Sequence, residues 1–292
     1  MKIRFWTSFF VGISPFLLTA CGGGGGSDSG SGSIGDSDVY LFTSASALRA
    51  NGTAVLSGSA ETANYEVVNG STTITNETSG SSTLNLEAKN GATTKLALTA
   101  PAGNSSVNLQ KANGDDLIKI GTLNSWTKRN GDDTALFEGQ YEYQTFGVWQ
   151  TGRNSGSGTI GSGSYGAATS NNRVPTGSAT YSGNSIGTTT DVSGKIVATT
   201  STVTATTDFR DIDLLSTNTQ AGIIGPTTPR PDLDFEGSGT VNGASFDMNI
   251  GNVAGSGLSG TATGKFYGPN AQEIGGTFSA GGYIGSFGGE RP

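Results

Sequence analysis

The sequence predicts an all-β protein, and three observations carry that prediction. Glycine supplies 48 of the 292 residues, more than twice its average share, and glycine with β-branched Thr and Val disfavours helix. Asn-Gly pairs recur at Asn51, Asn69, Asn90, Asn113, Asn130 and Asn242, and this pair suits the type I′ turn that closes a two-residue hairpin. Between them the chain alternates with a period of two. Leu84, Leu86 and Ala88 alternate with Asn85, Glu87 and Lys89, and Phe246, Met248 and Ile250 with Asp247, Asn249 and Gly251. Val203, Ala205, Thr207 and Phe209 repeat the pattern with smaller side chains. Strands with one apolar face suit antiparallel sandwiches or closed barrels.

The chain opens with Lys2 and Arg4 and an apolar run from Phe5 to Leu18, the pattern of a secretory signal peptide. At about 14 residues the run is shorter than the roughly 20 needed to cross a bilayer as a helix. Leu18-Thr19-Ala20-Cys21 follows and resembles the bacterial lipobox, which implies lipid attached to Cys21 and cleavage just before it. The alternative is an ordinary free thiol. Cys21 is the sole cysteine, so no disulfide forms within the chain, and two or more acyl chains anchor a protein stably. Residues 22–35, almost all Gly and Ser, read as a flexible tether averaging about 20 Å end to end.

The signal holds two of the 16 basic residues and none of the 23 acidic ones, which leaves a mature net charge of −9. Nucleic acid is not expected as a partner, because phosphate binding needs clustered Lys and Arg. The body divides near residue 135: residues 36–134 form a β-rich unit of short polar strands, and residues 135–292 hold most of the aromatics. Two long loops are expected in the second part. One runs from Gln150 to Thr176. The other, Arg210 to Leu233, carries the apolar pairs Leu214-Leu215 and Ile223-Ile224 and prolines at 226, 229 and 231. Long loops in compact domains are often binding elements, which makes Leu214, Leu215, Ile223 and Ile224 the partner-binding candidates. The competing reading packs both pairs under the loop.

Histidine is absent, which removes Ser-His-Asp catalysis, His-ligated haem and nearly all zinc sites. No catalytic residue, metal site or cofactor is expected. Asp232, Asp234 and Glu236 alternate with Leu233 and Phe235; they read as the solvated face of a strand, with calcium or a glycosidase pair as alternatives. Asn-Gly-Asp-Asp at Asn113–Asp116 and Asn130–Asp133 reads as two polar turns rather than metal loops. The glycine clusters near Gly161 and Gly255 lack the Lys-Ser/Thr of a phosphate cradle. Tyr141, Tyr143, Phe146 and Trp149 are expected in one strand in a structural role, although tyrosine can ligate haem iron without histidine.

The run Thr261-Ala262-Thr263-Gly264-Lys265-Phe266-Tyr267-Gly268-Pro269-Asn270-Ala271-Gln272-Glu273-Ile274-Gly275-Gly276-Thr277-Phe278, the closing Phe287-Gly288-Gly289, and Pro175 to Gly183 resemble the barrel domain of the transferrin-binding protein B family. The resemblance implies an eight-stranded antiparallel barrel over residues 135–292, preceded by a smaller β-rich handle domain. It also implies a lipid-anchored lipoprotein displayed at the outer-membrane surface, which captures a macromolecular partner of the iron-carrier type. A chain of this length makes one lobe where that protein has two. Complement-regulator and haem-related binders are single-lobe relatives, and a passive coat or assembly lipoprotein is the remaining alternative. The Gly-Gly pairs at 275 and 288 are expected at tight strand bends.

Overall fold

The computed structural model describes residues 51–292, apart from 90–91, 102–106, 111–116, 121–122, 131, 223–225 and 254–256. Cys21, Ile223, Ile224, Gly255, the tether and the Asn113–Asp116 turn therefore lie outside or largely outside the described residues. The first sheet contains nine strands: β1 (Asn51–Val68), β2 (Ser71–Lys89), β3 (Ala92–Thr99), β4 (Val107–Gln110), β5 (Leu117–Ile120), β6 (Leu123–Asn130), β7 (Asp133–Glu138), β8 (Gln144–Gln150) and β9 (Ser157–Gly166). Their order is β4-β3-β2-β1-β9-β8-β7-β6-β5, and every pairing is antiparallel. The sheet curls into a half-barrel around a core that includes Leu84, Leu86, Phe137, Trp149 and Tyr165.

The second sheet follows the chain as a meander: β10 (Ala179–Thr190), β11 (Ile196–Thr207), β12 (Asp211–Ala221), the two-residue β13 (Thr228–Pro229), β14 (Phe235–Asn242), β15 (Ser245–Asn252), β16 (Ser259–Tyr267), β17 (Glu273–Ala280) and β18 (Tyr283–Glu290). β18 pairs back onto β10, and β11 pairs with β12. Leaving aside β13, which pairs with β12 as a short appendage, eight strands close an antiparallel barrel. Closure removes the free edges an open sheet would expose. The alternating residues behave as the sequence pattern requires: Phe246, Met248 and Ile250 are buried in the barrel core beside Val203 and Ala205, while Asp247 and Asn249 are exposed.

Glycine serves the strands as well as the turns. Trp149 on β8 is the register partner of Gly161 on β9, and a Cβ on Gly161 would sit 2.2 Å from the indole. Phe246 covers Gly264 and Phe278 covers Gly285, each a direct cross-strand partner, and a Cβ on either glycine would sit 2.2 or 2.3 Å from the ring. A ring laid flat over a neighbouring glycine supplies the packing that the missing side chain cannot.

The half-barrel packs on the barrel wall through β8, β9 and β1 against β10, β17 and β18. β8 and β18 are buried at all but their last residue and β9 over its central and later part, because one face serves the strand's own core and the other the seam between sheets. Leu136, Tyr141, Phe146, Val148 and Ile186 fill one part of the seam, and Ala63, Tyr65, Ile160 and Ile284 another. Between them small residues bring the backbones together. The Ser162 hydroxyl donates to the Gly285 carbonyl at 2.9 Å, Ser286 to Gly147 at 2.9 Å, and Tyr141 to Gly288 at 3.0 Å.

Several expectations change. The change of sheet falls between Gly166 and Ala179, not near residue 135: β7, β8 and β9 pair within the first sheet. The expected loop 150–176 contains β9, whose Gly and Ser residues are there for close approach rather than for irregular chain. The expected loop 210–233 contains β12. Tyr141 and Tyr143 precede the strand that holds Phe146 and Trp149, although all four are buried. Asn51 begins β1 opposite Lys89 rather than making a hairpin tip. Asn69-Gly70 does form the expected turn, with φ of 53° and 80°, and Gly281-Gly282 forms a second with φ of 59° and 84°. At Asn242 the turn is displaced by one residue, since Asn242 pairs with Ser245 and Gly243 takes the positive φ of 60°. The Gly275 and Gly288 pairs mark the seam: a Cβ at 275 would meet Gln144 Oε1 at 1.9 Å, and one at 288 the Phe146 ring at 2.4 Å.

Candidate protein-docking end

One end of the body gathers hairpins from both sheets. The β1–β2 turn touches the β10–β11 hairpin, where the Thr72 hydroxyl donates to the Gly194 carbonyl. Val67 N donates to Gly156 O in the β8–β9 loop at 2.7 Å, and Arg153 N in the same loop to Asp132 O at 3.0 Å. The segment leading to β14 reaches across as Arg230, which donates through Nη1 to the Thr190 carbonyl at 3.2 Å. Val253, beyond β15, bonds through its N–H to Asp234 O.

These tips are apolar and exposed. Val192 at the β10–β11 tip is 105% exposed, and Val67, Val68 and Val253 are 39%, 54% and 45% exposed. Val67, Val68 and Val192, three of the six exposed large hydrophobics among the described residues, sit on the two hairpins joined by the Thr72–Gly194 bond, with Val253 on a separate loop beyond β15. Isolated exposed valines need no explanation, whereas a group on neighbouring loop tips is the kind of surface a protein partner covers. Between the tips lies a groove of about 400 Å³ lined by Tyr65, Val67, Arg153, Ser193 and Lys195, among others.

The tips are held rigidly by local bonds. Asp191 Oδ1 accepts from the Ser193 hydroxyl at 2.7 Å, from Ser193 N at 2.8 Å and from Lys195 N at 2.9 Å, and the Ser193 hydroxyl first, then the Lys195 amide, holds its pKa below the ordinary carboxylate value. The Arg230 guanidinium donates to both oxygens of Asp232 at 2.8 to 3.1 Å, which lowers the Asp232 pKa. A surface ordered before binding loses less conformational freedom on docking.

Residues 174–291 match the family model that describes the C-lobe and N-lobe beta barrels of Tf-binding protein B. The chain carries a Tf-binding protein B-like barrel. The matched stretch opens just before β10 and closes just after β18, so it spans the whole closed barrel. Among solved structures, the chain is similar to a Trp-to-Ala variant of transferrin-binding protein B from Haemophilus parasuis, at 10% identity over 82% of this chain and 76% of that one, with a TM-score of 0.43. It is also similar to isotype 1 transferrin-binding protein B from Neisseria meningitidis, at 14% identity over 73% and 52% with a TM-score of 0.41. The N-lobe of lactoferrin-binding protein B from Moraxella bovis aligns at 16% identity over 59% and 81%, with a TM-score of 0.39. No curated protein matches by sequence.

The Tf-binding protein B-like barrel places the sequence candidates apart. Leu214 faces inward, 2% exposed in the barrel core, while its neighbour Leu215 faces outward at 41%. Leu215 lines a groove of about 650 Å³ on the barrel wall with Asp213 and Glu236. Strand alternation is what separates the pair. Asp232, Asp234 and Glu236 do not share a strand face: Asp232 sits in a short 3-10 turn, Asp234 Oδ1 accepts from Thr219 N at 2.9 Å, and Glu236 lies on β14. Among the described residues no group of three or more acids, His or Cys is placed to hold a metal. Asp132 and Asp133 tie the β6–β7 turn to the β8–β9 loop through Asn154 and Gly152. The Tyr141 hydroxyl is bonded to Gly288, and burial pushes its pKa well above the ordinary value. The valine tips escaped sequence reading because Val67, Val68 and Val192 resemble any strand residue; their exposure depends on which hairpins the two sheets bring together.

Proposed function

We propose that this chain is a non-enzymatic, lipid-anchored surface module of the bacterial outer membrane that captures a host protein of the iron-carrier type. The lipid is on Cys21, and the partner docks on the hairpin end around Val67, Val68 and Val192. The observation that carries the reading is this exposed, braced apolar end, with Arg153 and Lys195 beside it, on a barrel that matches the Tf-binding protein B model. The relatives' names point to transferrin or lactoferrin as the first partners to try. Leu18-Thr19-Ala20-Cys21 and the glycine-rich run behind it support display away from the lipid.

The test uses the mature chain with Cys21→Ser, immobilised and exposed to transferrin and lactoferrin from several hosts. Saturable binding is expected to at least one of them. Val67→Asp with Val192→Asp should weaken it by about tenfold or more, because charge is placed on an apolar contact, while stability stays within about 0.5 kcal/mol at such exposed positions. Failure of every carrier to bind would favour a passive coat or assembly role. Binding unaffected by the double variant would move the site elsewhere.

A further inference from the structure

Two glutamates lie buried where the half-barrel meets the barrel, and among the described residues neither has a cation partner. Glu61 on β1 is 8% exposed and Glu273 on β17 is 3% exposed. The outward face of β17 presents Glu273, Gly275, Thr277 and Ser279 to the first sheet. The Thr277 hydroxyl donates to Glu61 Oε1 at 3.5 Å, and the Ser279 hydroxyl to Glu77 on β2. Glu273 Oε1 accepts from Glu142 N at 2.7 Å and Tyr143 N at 3.2 Å, just before β8. Every one of these bonds crosses from one sheet to the other.

The charged groups acting on them are mostly acidic, and the one cation in register on the same outward face is Lys265 of β16, the partner of Gly275. Glu61 has Ser79 of β2 and Ser162 of β9 as register partners, with Glu77 the charged neighbour. Glu273 pairs across strands with Glu290 on β18 and Tyr267 on β16. Glu142 lies beside it, and Tyr141 faces Glu138, Glu290 and Glu273 together. Arg291 follows Glu290 but directs its guanidinium to the Asn270 carbonyl at 2.6 Å. Ionising both carboxyls places charge that has donors but no ion-pair partner among the described residues in a low-dielectric seam beside other carboxylates, which is costly.

We propose that this seam is a proton-operated latch: with Glu61 and Glu273 neutral the half-barrel and barrel are held together, and ionisation of the two loosens their contact. Glu273 Oε2 also accepts from Tyr143 N at 3.1 Å, and a neutral Glu273 protonated on Oε2 still holds the amides of Glu142 and Tyr143 through Oε1. Burial, first of all, pushes both pKa values to about 7 against the lowering effect of the Thr277 hydroxyl on Glu61 and of the Glu142 and Tyr143 amides on Glu273, and the nearby glutamates add to the rise. Both folded values lie above the ordinary glutamate value of 4.5. The folded state therefore binds more protons than the unfolded one between those limits, and this stabilisation, full below 4.5, is lost as pH rises through about 7. The β1–β2 and β10–β11 tips stand on opposite sides of the seam. If the docking reading above holds, the latch also sets how the two halves of that end meet a partner.

Hydrogen exchange on the mature chain with Cys21→Ser, corrected for intrinsic rates and compared near pH 6 and near pH 8, tests the latch without any partner. Peptides of β8, β9, β17 and β18 should be protected about tenfold more strongly at the lower pH, with β14 and β15 changed less. In Glu61→Gln with Glu273→Gln the difference should largely disappear. Equal protection of the wild-type seam at both pH values, or an unchanged pH dependence in the double variant, would overturn the proposal. Should the double variant not fold, carboxyl carbon-13 titration of the unsubstituted chain decides: two glutamates with midpoints above about 6 support the latch, and all glutamates titrating below about 5 refute it.

Discussion

Ile186 offers a direct measure of how strongly the two sheets depend on each other. It sits on β10 of the barrel but points outward, 0% exposed, into the cluster of Leu136, Tyr141, Phe146 and Val148 from the first sheet. Ile186→Ala removes three carbons. At about 0.8 kcal/mol each the transfer loss is about 2.4 kcal/mol, and the cavity left in a seam with little room to collapse brings the expected cost into the range of about 2 to 5 kcal/mol. On a barrel whose wall faced water at this position, the same change would cost less than about 0.5 kcal/mol. Residues 36–292 supply their own probe, because their tryptophans, Trp126 and Trp149, both lie on first-sheet strands. Urea unfolding followed by tryptophan fluorescence therefore reports on the half-barrel, while far-ultraviolet circular dichroism reports on all strands. The expected result is one transition whose midpoint moves equally by both probes. A fluorescence midpoint unmoved by Ile186→Ala would refute the argument that the seam couples the sheets.

Gly161→Ala should destabilise the chain by about 1 to 3 kcal/mol, since the new Cβ lies 2.2 Å from the Trp149 ring and the ring must be displaced; a thermal melt matching wild type would show that the ring is not seated on the glycine. Leu214→Ala should cost about 2 to 5 kcal/mol and Leu215→Ala within about 0.5 kcal/mol, because strand alternation buries one and exposes the other; equal costs in chemical denaturation would contradict the register of β12. Cys21→Ser should move the protein from the membrane fraction to the soluble one, because acyl chains supply the anchoring energy; unchanged detergent partitioning would exclude lipid on Cys21 as the anchor.

Much of the barrel was legible in the residues. Phe246, Met248 and Ile250 alternate with polar neighbours, and this period places them on a single apolar face. Asn69-Gly70 announced its turn through a residue pair that tolerates positive φ. The docking end was less legible. Leu214-Leu215 looked like an apolar pair in a loop, yet on β12 the two side chains point in opposite directions, and a pair of adjacent letters cannot say so until the strand is known. Asp232, Asp234 and Glu236 looked like one face, but Pro231 opens a 3-10 turn that breaks the alternation before Phe235 starts β14.

By itself the sequence determined the all-β class, the apolar faces of the one-sided strands, and the chemistry closed to a chain without histidine. Tertiary structure alone decided which strands belong to which sheet. A strand with one buried face displays a period of two, so it can be read without its partners. β8, β9, β17 and β18 have both faces buried over most of their length, and close approach of two backbones favours Gly and Ser over large alternating side chains. In Ser157–Gly166 that composition is the same as that of a flexible loop. Its meaning appears only when Trp149 on the neighbouring strand lies over Gly161 and Ser162 meets the Gly285 carbonyl across the seam, because the second constraint comes from a surface more than a hundred positions away in the chain.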